Sequence, residues 1–260
     1  MDKIKIKDVN LLMLIVLPLT FLVVNPFSHI LMMIIILAWV GKNELRFRDF
    51  LYLRKIKVSI ILLSVLIGAL LALMNFFDHF YFQFAIEALE ESNLSLSISD
   101  FGLLFIFCIL GPAVEELLDR GILYNFYRKK GILPALVLSS AFFSLVHFSL
   151  YRIAIIFIIG AFLALLYGIT QCFWIPVLVH CSVNAIHTLL VFEPAVRFLK
   201  GLLYWLHGDN VWLFRLKLLP ISIVLCILAI LVMFLIMRIS GNNIFQGKKF
   251  KLINKDEASH

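Results

Sequence analysis

Apolar runs of about 20 residues, separated by charged or turn-forming clusters, recur along this chain from Val9 to Arg238. A run of that length matches the roughly 30 Å hydrocarbon core of a bilayer, which takes about 17–25 helical residues to cross. Eight candidate spans are read, at approximately 9–25, 27–41, 57–77, 101–127, 132–149, 152–169, 172–193 and 216–238, with Asn25-Pro26 splitting the first two. The composition agrees: 63% of the residues are hydrophobic and 15% charged, against about 45–50% and 25% in soluble domains. The expected architecture is therefore all-α, a polytopic membrane helix bundle forming one domain over residues 1–260. No cleavable signal peptide is read, because the first apolar run continues into the second without a small-residue cleavage site.

The charge of +7 comes from 23 Lys+Arg against 16 Asp+Glu, and its distribution gives a topology. Lys3, Lys5, Lys7, Lys42, Arg46, Arg48, Arg54, Lys55, Lys57, Arg128, Lys129, Lys130, Lys248, Lys249, Lys251 and Lys255 all fall on one side of the eight spans. The positive-inside bias makes that side cytoplasmic, so the expected location is a multi-pass cell membrane protein with both termini in the cytoplasm. Arg197, Lys200 and Arg215 run against the trend in the last outer loop. Basic residues placed this way need no nucleic-acid partner; the lipid bilayer is the partner they imply. In the outer loop near 78–100, residues 82–89 read as a short interfacial helix or an ordinary connector, and Tyr204, Trp205 and Trp212 read as an aromatic belt. Cys108, Cys172, Cys181 and Cys226 are widely spaced in apolar segments and read as packing residues.

Ionisable residues inside a bilayer are costly, roughly 2.5–3.5 kcal/mol for a charged group at a helix centre, so they are candidates for function. The fourth span carries Glu115, Glu116, Asp119 and Arg120; the fifth carries His147; the seventh carries His180 and Asn184. On an α-helix Glu116 and Arg120 are i,i+4 neighbours and neutralise each other, whereas Glu115 points about 100° away and keeps a carboxylate free to act as a base. Pro112 and Pro176, just ahead of Glu115 and His180, are expected to open their helices locally. At about 1.5 Å per residue from the nearest inner loop, Glu115 lies at about 20 Å, His147 at about 25 Å and His180 at about 14 Å, all near the middle of the membrane.

Two chemistries are open to this set. Glu115, His147 and His180 can ligate a zinc ion with a position left for water, if a metal is used. Alternatively Glu115 activates water without a metal, and His and Asn side chains stabilise the oxyanion. The HExxH and GxSxG patterns are absent. The bland alternatives are a structural Glu116–Arg120 ion pair and polar helix-to-helix hydrogen bonds from His147, His180 and Asn184. His29 and His187 are read as packing or interfacial residues, and Phe143 as packing that shapes the site.

Glu115-Glu116-x-x-x-Arg120, Phe143-x-x-x-His147 and His180-x-x-x-Asn184, in that order on three spans, resemble the three motifs of the CAAX protease and bacteriocin-processing (CPBP, or Abi) family of intramembrane peptidases, over roughly residues 101–193. The resemblance implies a CAAX-protease-like helical fold and endopeptidase cleavage of a membrane-associated or hydrophobic peptide or protein. It implies Glu115, assisted by His147, as the group that activates water, His180 and Asn184 as groups facing the oxyanion, and Glu116 with Arg120 as the supporting pair. Asp119 departs from the family pattern, where an apolar or aromatic residue is common, and stands i,i+4 from Glu115. It either reaches the inner polar zone, raises the proton affinity of Glu115 or retunes the base. Two other functions compete: a non-enzymatic bacteriocin-immunity or scaffold protein of the same fold, and an ion or proton carrier using the intramembrane acids and histidines.

Overall fold

The computed structural model describes residues 6–22, 27–46, 51–79, 102, 104–147, 152–191 and 211–241, and no β-strand occurs among them. The elements are α1 (Ile6–Leu22), α2 (Phe27–Lys42), α3 (Val58–His79), α4, α5 (Ile132–Val146), α6 (Ile153–Thr170), α7 (Trp174–Val191) and α8 (Val211–Ser240). Helix α4 is continuous but changes pitch: Ile106–Leu110 and Leu117–Tyr124 are π-helical, and Gly111–Glu116 and Asn125–Arg128 are α-helical. The amphipathic stretch 82–89, Tyr204, Trp205, Arg197, Lys200 and the terminal lysines lie outside the described residues.

Val58–Phe77, Ile153–Thr170 and Leu219–Ser240 are long and apolar enough to cross a membrane, and Asp8–Pro18, Ser28–Lys42, Ile132–Val146 and Trp174–Leu190 are shorter apolar helices. Their outward faces leave Leu14, Ile34, Leu62, Leu133, Leu231 and Phe234 exposed, which suits a lipid solvent and not water. The chain is a membrane helical bundle. Helix α8 is its most lipid-facing element: Ala229 and Ile236 are buried while Ile223, Ile227, Leu231 and Phe234 face outward.

Close helix crossings hold the bundle together where a side chain is small. A Cβ on Gly68 of α3 would lie 2.6 Å from the Cβ of Ser182 in α7, and one on Gly160 of α6 would lie 3.0 Å from the Phe143 ring in α5. Van der Waals contact at small residues is the main attraction available between helices in lipid, whose tails are as apolar as the side chains. Helix α4 runs through the interior, every residue from Glu116 to Tyr127 being buried. Below the site Asn125 Nδ2 donates to the Tyr167 hydroxyl (2.8 Å) and to the Gly121 carbonyl (3.0 Å), fixing α4 to α6.

One end of the bundle gathers Lys42, Lys57, Arg128 and Arg238 at helix ends. There the segment before α3 covers the α6–α7 turn: Leu53 bridges to Cys172, and the Phe173 amide donates to the Tyr52 carbonyl at 2.7 Å. Cys172 and Phe173 are consequently buried. This corrects the depth count, which placed His180 at about 14 Å by treating the α6–α7 turn as a surface loop. The turn is recessed beneath other chain, so α7 starts deeper and His180 rises to the level of Glu115.

The prolines behave unequally. Pro112 follows a π turn in which the Gly111 amide donates to the Ile106 carbonyl, a geometry that makes room for a ring that would otherwise clash with the preceding turn. Pro176 is the third residue of α7, where no intrahelical donor is required, so it opens nothing. Helix α5 ends at Val146, short of the expected 149, and leaves His147 as its C-cap. Arg215, expected in a loop, lies within α8.

Candidate active site

A cavity of about 560 Å³ lies between α2, α3, α4, α5, α6 and α7, with Glu115, Asp119, His147, His180 and Asn184 in its wall. Its lining includes Ser28 and His29 at the start of α2, Asn75 at the end of α3, Arg152 just before α6 and His187 near the end of α7. These are the helix ends remote from Lys42, Lys57 and Arg128, so the cavity occupies the half of the bundle opposite the basic cluster.

Glu115 is the meeting point. His147 Nε2 stands 3.9 Å and His180 Nε2 3.8 Å from its Oε2, which is buried and makes no hydrogen bond within the protein. Both rings are oriented from behind. His147 Nδ1 donates to the Phe143 carbonyl (2.7 Å), an oxygen that only accepts, so the proton must sit on Nδ1. His180 Nδ1 donates to Glu116 Oε1 (3.0 Å). Phe143 lies against both, 4.7 Å from the His147 ring and 5.3 Å from the His180 ring, and the Arg120 guanidinium stacks 4.9 Å from its other side.

Behind that layer sits the expected ion pair. Arg120 NH1 donates to Glu116 Oε1 at 2.8 Å with both side chains fully buried, and NH2 donates to the Gly160 carbonyl at 2.8 Å. Glu116 Oε1 thus accepts from Arg120 and His180 together and cannot serve as a free base. The helical wheel pairs Glu116 with Arg120, as observed, but it leaves Glu115 without a partner, whereas the structure sets His29 Nε2 2.8 Å from Glu115 Oε1.

Asn184 is arranged differently. Its Nδ2 donates to the Phe107 carbonyl in the π turn of α4 (2.9 Å), leaving its second N–H toward the cavity it lines. Asp119 does not reach an inner polar zone: it is 1% exposed, lines the cavity and stands 3.6 Å from Arg120 NH1. The Glu116–Arg120 pair keeps its i,i+4 contact into the π-helical stretch Leu117–Tyr124, and Asp119 shares the cavity wall with Glu115.

Sequence reasoning missed His29. Set aside as packing, it makes the shortest contact to the free acid, His29 Nε2 to Glu115 Oε1 at 2.8 Å. The signal was available: His29 is an ionisable group inside an apolar segment, near the same end of the bundle as His147. His187, set aside with it, also lines the cavity.

Tetrahedral zinc at about 2.0–2.1 Å from each ligand requires donor atoms roughly 3.3 Å apart. The Glu115 Oε2 distances to both histidines are wider, Glu115 Oε1 is engaged by His29, and among the described residues no three His, Cys, Asp or Glu side chains form a ligand cluster. This donor set does not fit zinc.

A family model described as type II CAAX prenyl endopeptidase, Rce1-like, matches residues 97–186, which carry all three motifs. Over this segment the chain is similar to the type II CAAX prenyl endopeptidases. A protein of Bacillus subtilis (strain 168) named "Putative membrane peptidase YdiL" is 30% identical over 93 residues, 35% of this chain. The match spans 38% of that relative's length. No solved structure matches the chain. The matched segment supplies Glu115, Glu116, Arg120, His147 and His180, whereas His29 on α2 comes from outside it.

Proposed function

We propose that this protein is an intramembrane endopeptidase that hydrolyses a peptide bond in a membrane-associated or hydrophobic peptide or protein. The observation that carries the reading is Glu115 Oε2: buried, without a hydrogen bond inside the protein, and flanked at 3.8–3.9 Å by two ring nitrogens on a cavity wall. Those separations exceed a direct hydrogen bond and are short enough for one water, seated to the side, to bridge the two groups. A water there donates one proton to Glu115 Oε2 and the other to the bare Nε2 of His147, which turns an oxygen lone pair toward a bound carbonyl.

As that oxygen attacks, the water's proton passes to Glu115 and negative charge develops on the carbonyl oxygen. His180 and the second N–H of Asn184 face that oxyanion. With Nδ1–H held by Glu116 Oε1, His180 can serve the oxyanion only through a second proton on Nε2. Glu115 then returns its proton to the leaving amine. Arg120 and Glu116 hold His180 in register. With the basic end of the bundle in the cytoplasm, the scissile bond is met in the outer half of the membrane.

The test is proteolysis in proteoliposomes by the wild type and by Glu115→Gln and His147→Ala. Both variants are expected to fold, to bind substrate and to lose turnover. Undiminished cleavage by both, or full biological complementation by Glu115→Gln, would overturn hydrolysis in favour of a binding or immunity role.

A further inference from the structure

His29 has no task in the scheme above, yet it touches the base more closely than any catalytic partner does. We propose that His29 is a positioning residue for Glu115: its Nε2–H holds Oε1, so that Oε2 alone faces the two catalytic histidines. The inference rests on the reading of Glu115 as general base.

The physical need is specific. The terminal torsion of a glutamate is broad and roughly two-fold, so an unpinned carboxylate swings freely and presents either oxygen. Reaction from a near-attack geometry tolerates little of that freedom, since a 1 Å error can cost about 10²-fold in rate. Glu115 Oε1 is held at 2.8 Å by His29 Nε2, while Oε2 is left facing His147 and His180. An ionised carboxylate only accepts, so the proton of this contact belongs to His29 Nε2, while its Nδ1 is buried and makes no hydrogen bond within the protein.

A second observation is independent of the hydrogen bond. Gly111 lies one turn before Glu115, and a Cβ there would stand 3.0 Å from His29 Nε2 and 3.1 Å from Cδ2. Its backbone is ordinary α-helix, φ −55°, so space and not conformational freedom is what a glycine provides. Helix α4 therefore carries both the base and a seat for the ring that orients it, and the ring arrives on α2, a helix outside the matched family segment.

The test uses the full-length protein in proteoliposomes with a quenched fluorogenic peptide, apolar around the scissile bond, that the wild type cleaves. His29→Leu and Gly111→Ala are each expected to lower kcat about 10- to 100-fold with KM unchanged, as loss of an orienting partner does. His29→Gln, which keeps an N–H at the same reach, retains most of the wild-type kcat. Wild-type kcat in His29→Leu, or equal losses for Leu and Gln, overturns the proposal.

A readout that needs no substrate runs beside it: ¹⁵N NMR of histidine-labelled protein in bilayers. The His29 resonance, assigned by its loss in His29→Gln, is expected to be the Nε2–H tautomer and to shift in Glu115→Gln. An Nδ1–H tautomer overturns the proposal. Cleavage surviving Glu115→Gln overturns the general-base reading, whereas loss in Glu115→Gln with full kcat in His29→Leu overturns the role of His29 alone.

Discussion

Arg120→Met separates the structural half of the polar core from the chemical half. Methionine keeps an unbranched stem of similar bulk and removes the cation, both NH donors and the stack on Phe143. Glu116, fully buried, loses its guanidinium partner and keeps only the hydrogen bond from His180 Nδ1, and the Gly160 carbonyl loses its donor. Breaking a buried ion pair by deleting one partner costs about 3–5 kcal/mol. The orphaned carbonyl adds about 0.6 kcal/mol, the average for an interhelical hydrogen bond in a bilayer. A loss of about 4 kcal/mol is thus expected, a large part of the roughly 5–15 kcal/mol that proteins possess. The double variant Glu116→Gln/Arg120→Met removes the stranded charge and should recover at least about 2 kcal/mol, because the penalty lies in the unpaired carboxylate and not in the missing contact. Equilibrium unfolding in mixed micelles measures both. The reasoning fails if Arg120→Met lies within about 1 kcal/mol of the wild type, or if the double variant is no more stable than the single.

Gly160→Ala places a methyl 3.0 Å from the Phe143 ring and 3.3 Å from the Ser140 Cα; it should cost about 1–3 kcal/mol by overpacking and reduce turnover, since Phe143 backs both catalytic histidines, as unfolding and cleavage assays would report. Gly68→Ala meets the Ser182 Cβ at 2.6 Å, so Ser182→Gly should restore part of a loss of similar size, about 1–3 kcal/mol, in the double variant. Chelation by EDTA should leave cleavage unchanged; inactivation reversed by added zinc would refute a metal-free water. In a cysteine-free background, Ser92→Cys should react with an impermeant maleimide on intact cells and Lys129→Cys only after permeabilisation, and the reverse pattern would invert the topology.

Much of the architecture follows from sequence because membrane insertion obeys one-dimensional rules. Helices must satisfy their own backbone hydrogen bonds in lipid, and a span needs about 20 apolar residues, so each of the eight apolar runs corresponds to a helix among the described residues. The pairing of Glu116 with Arg120 follows from local helical geometry in the same way. Depth and convergence do not. The recessed α6–α7 turn, roofed by Tyr52 and Leu53, brings His180 level with Glu115 through contacts between residues far apart in sequence. The π turns of α4 and the capping position of His147 are likewise products of packing. His29 shows the limit most plainly: as a residue type it read as ordinary packing, and only the close approach of α2 to a glycine on α4 turns it toward Glu115. Helix formation is a property of a segment and its solvent, whereas an active site depends on distances of a few ångströms between segments, which only their packing sets.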